Sequence, residues 1–417
     1  MTKDSPYSPT EILGNPGLLK LELMRRGIRV AGEDSKTPEP AAAFGVEHGL
    51  DLILPKSTWV TAPLASTIGQ VTPFCLTTDG KKGLLSWEGE ELAPIKVECV
   101  PPSPFLGRKT QSGVPLSSFG ACHGNFLALS PIGECDLLGG RDQCLFCSLP
   151  AQGTLGRVPP EDVVEAVKIA REHRKVEMVF LNVGILGADD RGIRALEPYV
   201  RAIKKAFDIL VAVDALPPSS NSWIDRTYAM GVDSLSYNLE VYDPQAFARL
   251  CPGLNRTIGR ERFLDALYYA TTVFPPGAVI SHLIVGAEPI ESTVEGIEEL
   301  VRSRVVPVLP VFRPFKGVDL RVDASQLTVP STRQLSALYG HLYQSLKKAR
   351  LPMEWVQQIS AVTTPAEGRF FVEMGGIGGL FQRLSPPGKR SPSATLSDWR
   401  RALRVKEVDD SLKSSGL

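Results

Sequence analysis

Three cysteines stand in one short stretch, SPIGECDLLGGRDQCLFCSLP, over residues 130–150. Cys144 and Cys147 form a Cys-x-x-Cys hook that encloses Phe146, and eight residues separate Cys135 from Cys144. Such a hook brings two sulfurs onto one metal or cluster. Gly139 and Gly140 make a tether on which the third can swing in. No fourth cysteine or histidine follows at zinc-finger spacing, whereas a structural zinc site normally has four closed ligands. Three thiolates on a flexible loop suit an iron–sulfur cluster that leaves one iron open, because thiolates select such clusters. An open metal position is a place for chemistry.

The rest of the chain has to hold that loop. Its 417 residues allow two or three domains, and a hydrophobic fraction of 43% supports a real core. Lys+Arg and Asp+Glu both number 46, so the formal charge is zero, which argues against nucleic acid as a partner. The longest apolar runs are strand-length, so no membrane span is expected. The first residues, MTKDSPYSPTEIL, carry no secretory apolar segment. Seven cysteines are too sparse, and odd in number, for a disulfide scaffold. A reducing cytoplasm is the expected setting, where a Cys-x-x-Cys is more often metal-binding or redox-active than structural.

Four segments follow from the patterning. Residues 1–44 read as a short helix (LLKLELMRRG) in a polar extension, with a Pro/Ala-rich linker. Residues 45–117 read as a small β-rich domain, with a hairpin at Asp79-Gly80. It holds Cys75 and Cys99, which read as buried thiols. Residues 118–325 alternate strand-like runs (125–130, 176–183, 208–214, 233–240, 278–286, 305–312) with helical ones (159–173, 189–206, 222–230, 259–273, 291–302). Six β-then-α units imply an α/β fold, a partial (β/α)6 TIM-like barrel, with its site at the carboxyl ends of the strands. Residues 326–417 form a helical extension, with helices expected at 332–349 and 395–406.

The cysteine loop follows the first barrel strand directly and so belongs at that face. The fourth strand, DSLSYNLE, puts Ser234, Ser236, Asn238 and Glu240 on one side and Leu235, Tyr237 and Leu239 on the other. A parallel strand in a solid core should be apolar on both sides, so a polar ligand is expected inside the barrel. Asn182 and Gly184 share one face of the second strand, and His282, Ile284 and Gly286 share one face of the fifth. Cys251 follows the fourth strand and stands alone in the sequence.

Over roughly residues 120–320 the chain resembles the radical S-adenosylmethionine superfamily, most closely its biotin synthase-like branch. Cys144-Leu-Phe-Cys147 matches the second half of the family's Cys-x3-Cys-x2-Cys motif, aromatic included, and Cys135-Asp-Leu resembles its start. The longer first gap makes an atypical Cys-x8-Cys-x2-Cys, with LLGGRD as an insertion and Cys122 as a possible stand-in for Cys135. VFLNVG resembles the Gly-Gly-Glu motif, without its glutamate. SYNLEVYDP resembles the strand that contacts the cofactor, and SHLIVGAEP the Gly-x-Ile-x-Gly motif.

The resemblance implies a [4Fe-4S] cluster on Cys135, Cys144 and Cys147. It implies S-adenosylmethionine contacts at Phe146, Asn182, Gly184, Asn238, Glu240, Ile284 and Gly286. It further implies reductive cleavage of S-adenosylmethionine and use of the 5′-deoxyadenosyl radical on a small metabolite or biosynthetic intermediate. Asp214, Ser236, His282 and Arg313 are candidate substrate contacts. A small-molecule substrate and an electron donor such as flavodoxin or ferredoxin are the implied partners. The alternatives are a sulfur-inserting enzyme like biotin or lipoyl synthase and a non-catalytic iron–sulfur or zinc module.

Overall fold

In a computed structural model of the chain, the described residues are 7–32, 49–68, 71–101, 103–147, 156–187, 189–312, 327, 330–356, 362–372, 394–395 and 397–402. The expected linker, Arg313 and the glycine-rich stretch at 375–379 lie outside the described residues.

The chain opens with α1 (Pro9–Gly14) and α2 (Pro16–Arg26). A six-stranded sheet follows, built from β1 (Arg29–Val30), β2 (Gly49–Leu54), β3 (Thr58–Pro63), β4 (Phe74–Thr78), β5 (Lys82–Trp87) and β6 (Ile95–Cys99) in the order β1-β4-β5-β6-β2-β3. A single helical turn, α3 (Ala65–Ile68), interrupts it. The expected hairpin joins β4 to β5: Gly80 takes φ +95°, and Asp79 Oδ1 accepts from the N–H groups of Lys81 and Lys82 at 2.9 and 2.7 Å. Cys75 is buried in this sheet, and Cys99 accepts from the Thr78 hydroxyl at 3.2 Å.

The second sheet has seven strands: β7 (Gly120–His123), β8 (Phe126–Leu129), β9 (Met178–Asn182), β10 (Leu210–Ala215), β11 (Ser234–Tyr237), β12 (Val279–His282) and β13 (Val306–Val308). They lie in sequential order, and β8 to β13 are parallel throughout. Parallel neighbours need crossovers. These are α4 (Pro160–His173), α5 (Ile193–Ala206), α6 (Ser222–Ala229), α7 (Pro244–Leu250) with α8 (Pro252–Thr257) and α9 (Arg260–Val273), and α10 (Ile290–Arg302). The sheet curls into the expected half barrel. Val179, Leu181, Val211, Val213, Leu235 and Tyr237 are all buried in it.

One edge differs from expectation. β7 pairs antiparallel with β8, from Gly120↔Leu129 to His123↔Phe126. GACHG has no strand pattern to read. Gly124, at φ +52°, closes the turn. Just below that turn, buried Asp51 of β2 accepts from Thr61 Oγ1 (2.7 Å), the Gly124 N–H (3.3 Å) and Arg174 Nη1 (2.7 Å), joining the first sheet to the amino-terminal end of the barrel.

The C-terminal part packs back on the start of the chain. α2 is no polar extension: Leu18, Leu19, Leu21 and Leu23 are buried, and so are Lys20 and Glu22. It lies against β3, α11 (Thr332–Lys348) and α12 (Arg369–Val372). Lys20 pairs with Glu367 at 3.4 Å, and Glu22 with Arg25 at 3.3 Å, because a charge taken out of water needs a partner. Further on, Ser397 and Arg401 donate to buried Asp233 at 2.6 and 2.7 Å, fixing residues 397–402 against the barrel. Among the described residues no helix is long and apolar enough to cross a membrane.

Candidate active site

The chain leaves β8 at Leu129 and reaches α4 at Pro160, so the cysteine loop stands at the carboxyl edge of the sheet. Backbone contacts seat it on two neighbouring units. Asp136 N–H donates to Ile185 O at 2.8 Å, and Gly187 N–H donates to the Asp136 carboxylate, so the Cys135 end rests on the loop after β9. Leu145 N–H donates to Leu250 O at 2.9 Å, and Asp142 pairs with Arg256, so the hook end rests on α7 and α8. Within the hook, Cys147 N–H donates to Cys144 O at 3.2 Å. Gly139 and Gly140 take φ +77° and +71°, a conformation that glycine reaches without strain, and the segment they introduce docks on α8.

Two other glycines admit the loop. A Cβ on Gly253 would lie 2.3 Å from Asp142 O. A Cβ on Gly184 would lie 2.5 Å from Cys135 Cβ and 2.6 Å from Glu134 O. Gly184 therefore lies directly against the cysteine loop, and that close approach is the visible reason for a glycine there. Gly184→Ala is expected to unseat Cys135, lowering stability by about 1–3 kcal/mol as overpacking does. Thermal unfolding with iron analysis checks this; full iron and an unchanged melting temperature would contradict it.

Cys135, Cys144 and Cys147 are all half-buried. Burial pushes the Cys135 thiol up, and Cys135 lies close enough to Cys144 for their charges to interact. Cys144 also meets a residue that the sequence left isolated. Cys251, with 0% exposure, stands at the junction of α7 and α8, and its thiol hydrogen-bonds that of Cys144. This bond holds the Cys144 thiol below its ordinary range. The Cys144 contact and burial push Cys251 up, and Glu240 and Cys147 add to the effect. Of the two, Cys144 is therefore the easier to deprotonate. Cys251 is thus a correction to its reading as a lone thiol. Cys122 stands elsewhere: it lies on β7 near Arg174 and Asp51, and burial pushes it up to about 11.

The inner face of the sheet carries one polar network. Asn238 Nδ2 donates to both oxygens of Asp214 at 3.0 Å. Asn238 Oδ1 accepts from Ser236 Oγ at 2.6 Å and from the His282 N–H at 3.0 Å. Both ends of Asn238 are spent inside the network, where they orient Asp214. Burial pushes Asp214 up to about 7, against the Asn238 bonds, and pushes His282 down to about 4.

Glu240 takes φ +69°, rare for a residue with a side chain, and is held there by β12. Its N–H donates to His282 O at 2.9 Å and its carbonyl accepts from Ile284 N–H at 2.6 Å. Burial, then the charges of Asp214 and Cys144, push its carboxyl well up. The polar strand face, the network and the thiols therefore meet at Glu240. Asn182 pairs in register with Asp214 and is half-buried, as is Phe146 in the hook. Ile284 is buried, whereas Gly286, at φ +97°, lines a cavity of about 850 Å³ with residues of α7, α10 and α11.

Two arginines that sequence reasoning did not single out stand in the same rim of loops. Arg191 precedes α5 and donates to Thr257 O at 2.8 Å, and Arg262 in α9 donates to Pro218 O at 2.8 Å. Burial and then the charge of Arg262 lower the proton affinity of Arg191, and Arg191 Nε, Arg262 Nη2 and the Tyr237 hydroxyl are buried without a hydrogen-bond partner among the described residues. No alternating pattern marks them, because one precedes α5 and the other lies in α9.

No family model matches the chain. It is similar to the bacteriochlorophyllide c C-7(1)-hydroxylase of Chlorobaculum limnaeum, 30% identical over 114 residues, which are 27% of this chain and 28% of that protein. The match thus spans little more than a quarter of the hydroxylase. In fold the chain is similar to methylornithine synthase, with 13% identity and a TM-score of 0.42 over 67% of this chain and 82% of that one. It is also similar to a radical SAM methyltransferase from Sphaerobacter thermophilus, with 16% identity and a TM-score of 0.39 over 69% of this chain and 77% of that one. One of these proteins, the Sphaerobacter methyltransferase, is itself named a radical SAM enzyme.

Proposed function

We propose that the protein is a radical S-adenosylmethionine enzyme that acts on a carbon–hydrogen bond of a small metabolite or biosynthetic intermediate. The observation that carries the reading is the seating of three half-buried thiols at the carboxyl edge of a half barrel, beside a buried polar network. Cys135, Cys144 and Cys147 would hold a [4Fe-4S] cluster. Among the described residues no three His, Cys, Asp or Glu side chains gather as they would around a single metal ion. That suits a cluster, whose irons take separate thiolates, better than one tetrahedral zinc. When bound, the cluster supplies the single electron that cleaves S-adenosylmethionine, chemistry that side chains do not offer.

The chain's own residues bind and orient. Burial makes Asp214, pushed up to about 7, and Glu240 bind their protons more tightly than exposed carboxyls do. The sulfonium and ammonium of S-adenosylmethionine would draw those protons off and pair with the carboxylates. Arg191 and Arg262, with buried nitrogens to spare, would receive its carboxylate. Asn182, Gly184 and the Ile284–Gly286 segment, with Phe146 in the hook, would complete the enclosure, and His282, neutral at working pH, would face the substrate. The biotin synthase-like branch fits the order of the motifs. Sulfur insertion fits less well, because none of β9 to β13 carries a cysteine for a second cluster. The local likeness to a hydroxylase makes C–H hydroxylation the first chemistry to test. A flavodoxin or ferredoxin in a reducing cytoplasm would deliver the electron.

The test is direct. The protein, reconstituted anaerobically, should bind four irons per chain. With dithionite and S-adenosylmethionine it should release 5′-deoxyadenosine, read by mass spectrometry. A fully loaded protein that released none would sink the proposal and leave a non-catalytic iron–sulfur module.

A further inference from the structure

We propose that the outer side of the cysteine loop, where it rests on α7 and α8, is the docking surface for an acidic one-electron carrier protein. The inference rests on the function proposed above and adds the face by which its reductant arrives. Two stretches of chain meet there: Leu145 N–H donates to Leu250 O at 2.9 Å, and Asp142 pairs with Arg256. Residues 139–147 and 244–258 together carry four charged side chains, Arg141, Asp142, Arg249 and Arg256. Three positive charges against one negative leave an excess of two, and all three arginines are exposed. Asp142 lies close enough to feel the charge of Arg141 as well as that of Arg256.

Around this patch the charges are matched or acidic. Asp243 caps α7 by accepting from Ala246 N–H at 2.6 Å, and Arg260 pairs with Glu261 at 3.0 Å. Residues 148–155, which follow the hook, hold no charged residue. At the Cys135 end of the loop Glu134 pairs with Arg157 at 3.1 Å, and Asp136 adds an acid. Glu291 stands across the cavity that Arg249 borders. The positive excess thus belongs to the hook end. An exposed arginine is by itself only a solvated charge. Its place decides the matter here: Gly139, Gly140 and Arg141 are exposed, yet they lie between Cys135 and Cys144 in the same loop. An electron crosses protein only over a short gap, so a carrier has to settle beside the thiols. A basic rim beside them draws an acidic carrier and turns away a basic one. The carrier would give up one electron to the cluster, with no bond made or broken.

The experiment titrates the reconstituted protein with an acidic bacterial flavodoxin by calorimetry. It also measures 5′-deoxyadenosine release driven by that flavodoxin, photoreduced, or by dithionite. Wild type is compared with an Arg141→Glu/Arg249→Glu double variant and with Lys96→Glu, an exposed charge reversal on β6 of the first sheet. Arg256 is left in place because it seats Asp142. The expected result is flavodoxin binding at least about 10-fold weaker in the double variant at about 0.01 M salt. The difference should shrink toward about 1 M salt, where charges are screened within about 3 Å. Flavodoxin-driven release should fall in step, while dithionite-driven release and the melting temperature stay at wild-type values, and Lys96→Glu should match wild type throughout. Unchanged flavodoxin binding in the double variant, or equal losses with flavodoxin and dithionite, would overturn the surface. So would a wild type that bound no flavodoxin. A wild type that bound it through these arginines yet released no 5′-deoxyadenosine with either reductant would overturn the underlying function and leave the surface standing.

Discussion

Cys144→Ala should lower the iron retained by anaerobically purified protein by at least about 100-fold, since even the outer partners of a metal ligand are worth 10–100-fold. The Cys144 thiol is held below its ordinary range by Cys251, and a metal ligand has to be a thiolate. Cys147→Ala and Cys135→Ala should empty the site as well, with 5′-deoxyadenosine release falling to background in each. Cys122→Ala should keep both iron and cleavage. Cys122 stands at the other end of the barrel, by Asp51 and Arg174, where burial pushes its thiol up to about 11 and away from ligand chemistry. Iron assay and mass spectrometry on the four variants decide the matter. Iron lost from Cys122→Ala and kept by Cys135→Ala would show that the longer first gap had misdirected the assignment.

That outcome bears on how much the sequence can reveal. The six parallel strands were legible because each is a short apolar run between amphipathic helices, and parallel pairing leaves no other arrangement. The polar side of β11 was legible because alternation survives up to Asn238. What lies beyond was not. The turn at Glu240 takes a left-handed conformation enforced by β12, which no local pattern encodes. β7 escaped notice because its four residues pair only through a tight turn at Gly124. α2 read as a short helix in a polar extension because the groups that cover its charges, Glu367 on Lys20 and Thr332 on Glu22 and Arg25, come from the far end of the chain. Cys251 failed for the same reason. A thiol is isolated or not according to what the fold brings to it, and the contact with Cys144 spans the whole of β9 to α7. The one local sign was the helix break at Cys251-Pro252, which reads as a boundary and not as a site.

The pH dependence of stability should expose the network beneath the thiols. Burial pushes Asp214 from its ordinary 3.8 up to about 7, so the folded state holds that proton more tightly than the unfolded one. Its effect on stability is most favourable below about pH 4 and declines as pH rises to about 7. Glu240, pushed up by burial and by the charges of Asp214 and Cys144, adds to the same decline. His282 works the other way. Burial lowers it from 6.5 to about 4, so stability is lost as pH falls through that window. With two carboxyls set against one imidazole, the wild type should lose stability on balance as pH rises from about 4.5 to 6.5. In the cluster-free protein, Asp214→Asn should leave Glu240 and His282 opposed, flattening the curve between about pH 4.5 and 6.5. Above pH 7 this variant should exceed wild type by up to ~4 kcal/mol, at about 1.4 kcal/mol per tenfold change in proton affinity. His282→Gln should fall more steeply than wild type from pH 4 to 7. Thermal unfolding of the three proteins across pH 4–8 reads both signs. Parallel curves for Asp214→Asn and wild type would mean that the carboxyl is already ionised and solvated in the folded protein. The barrel mouth would then hold no protons for a cationic ligand to displace.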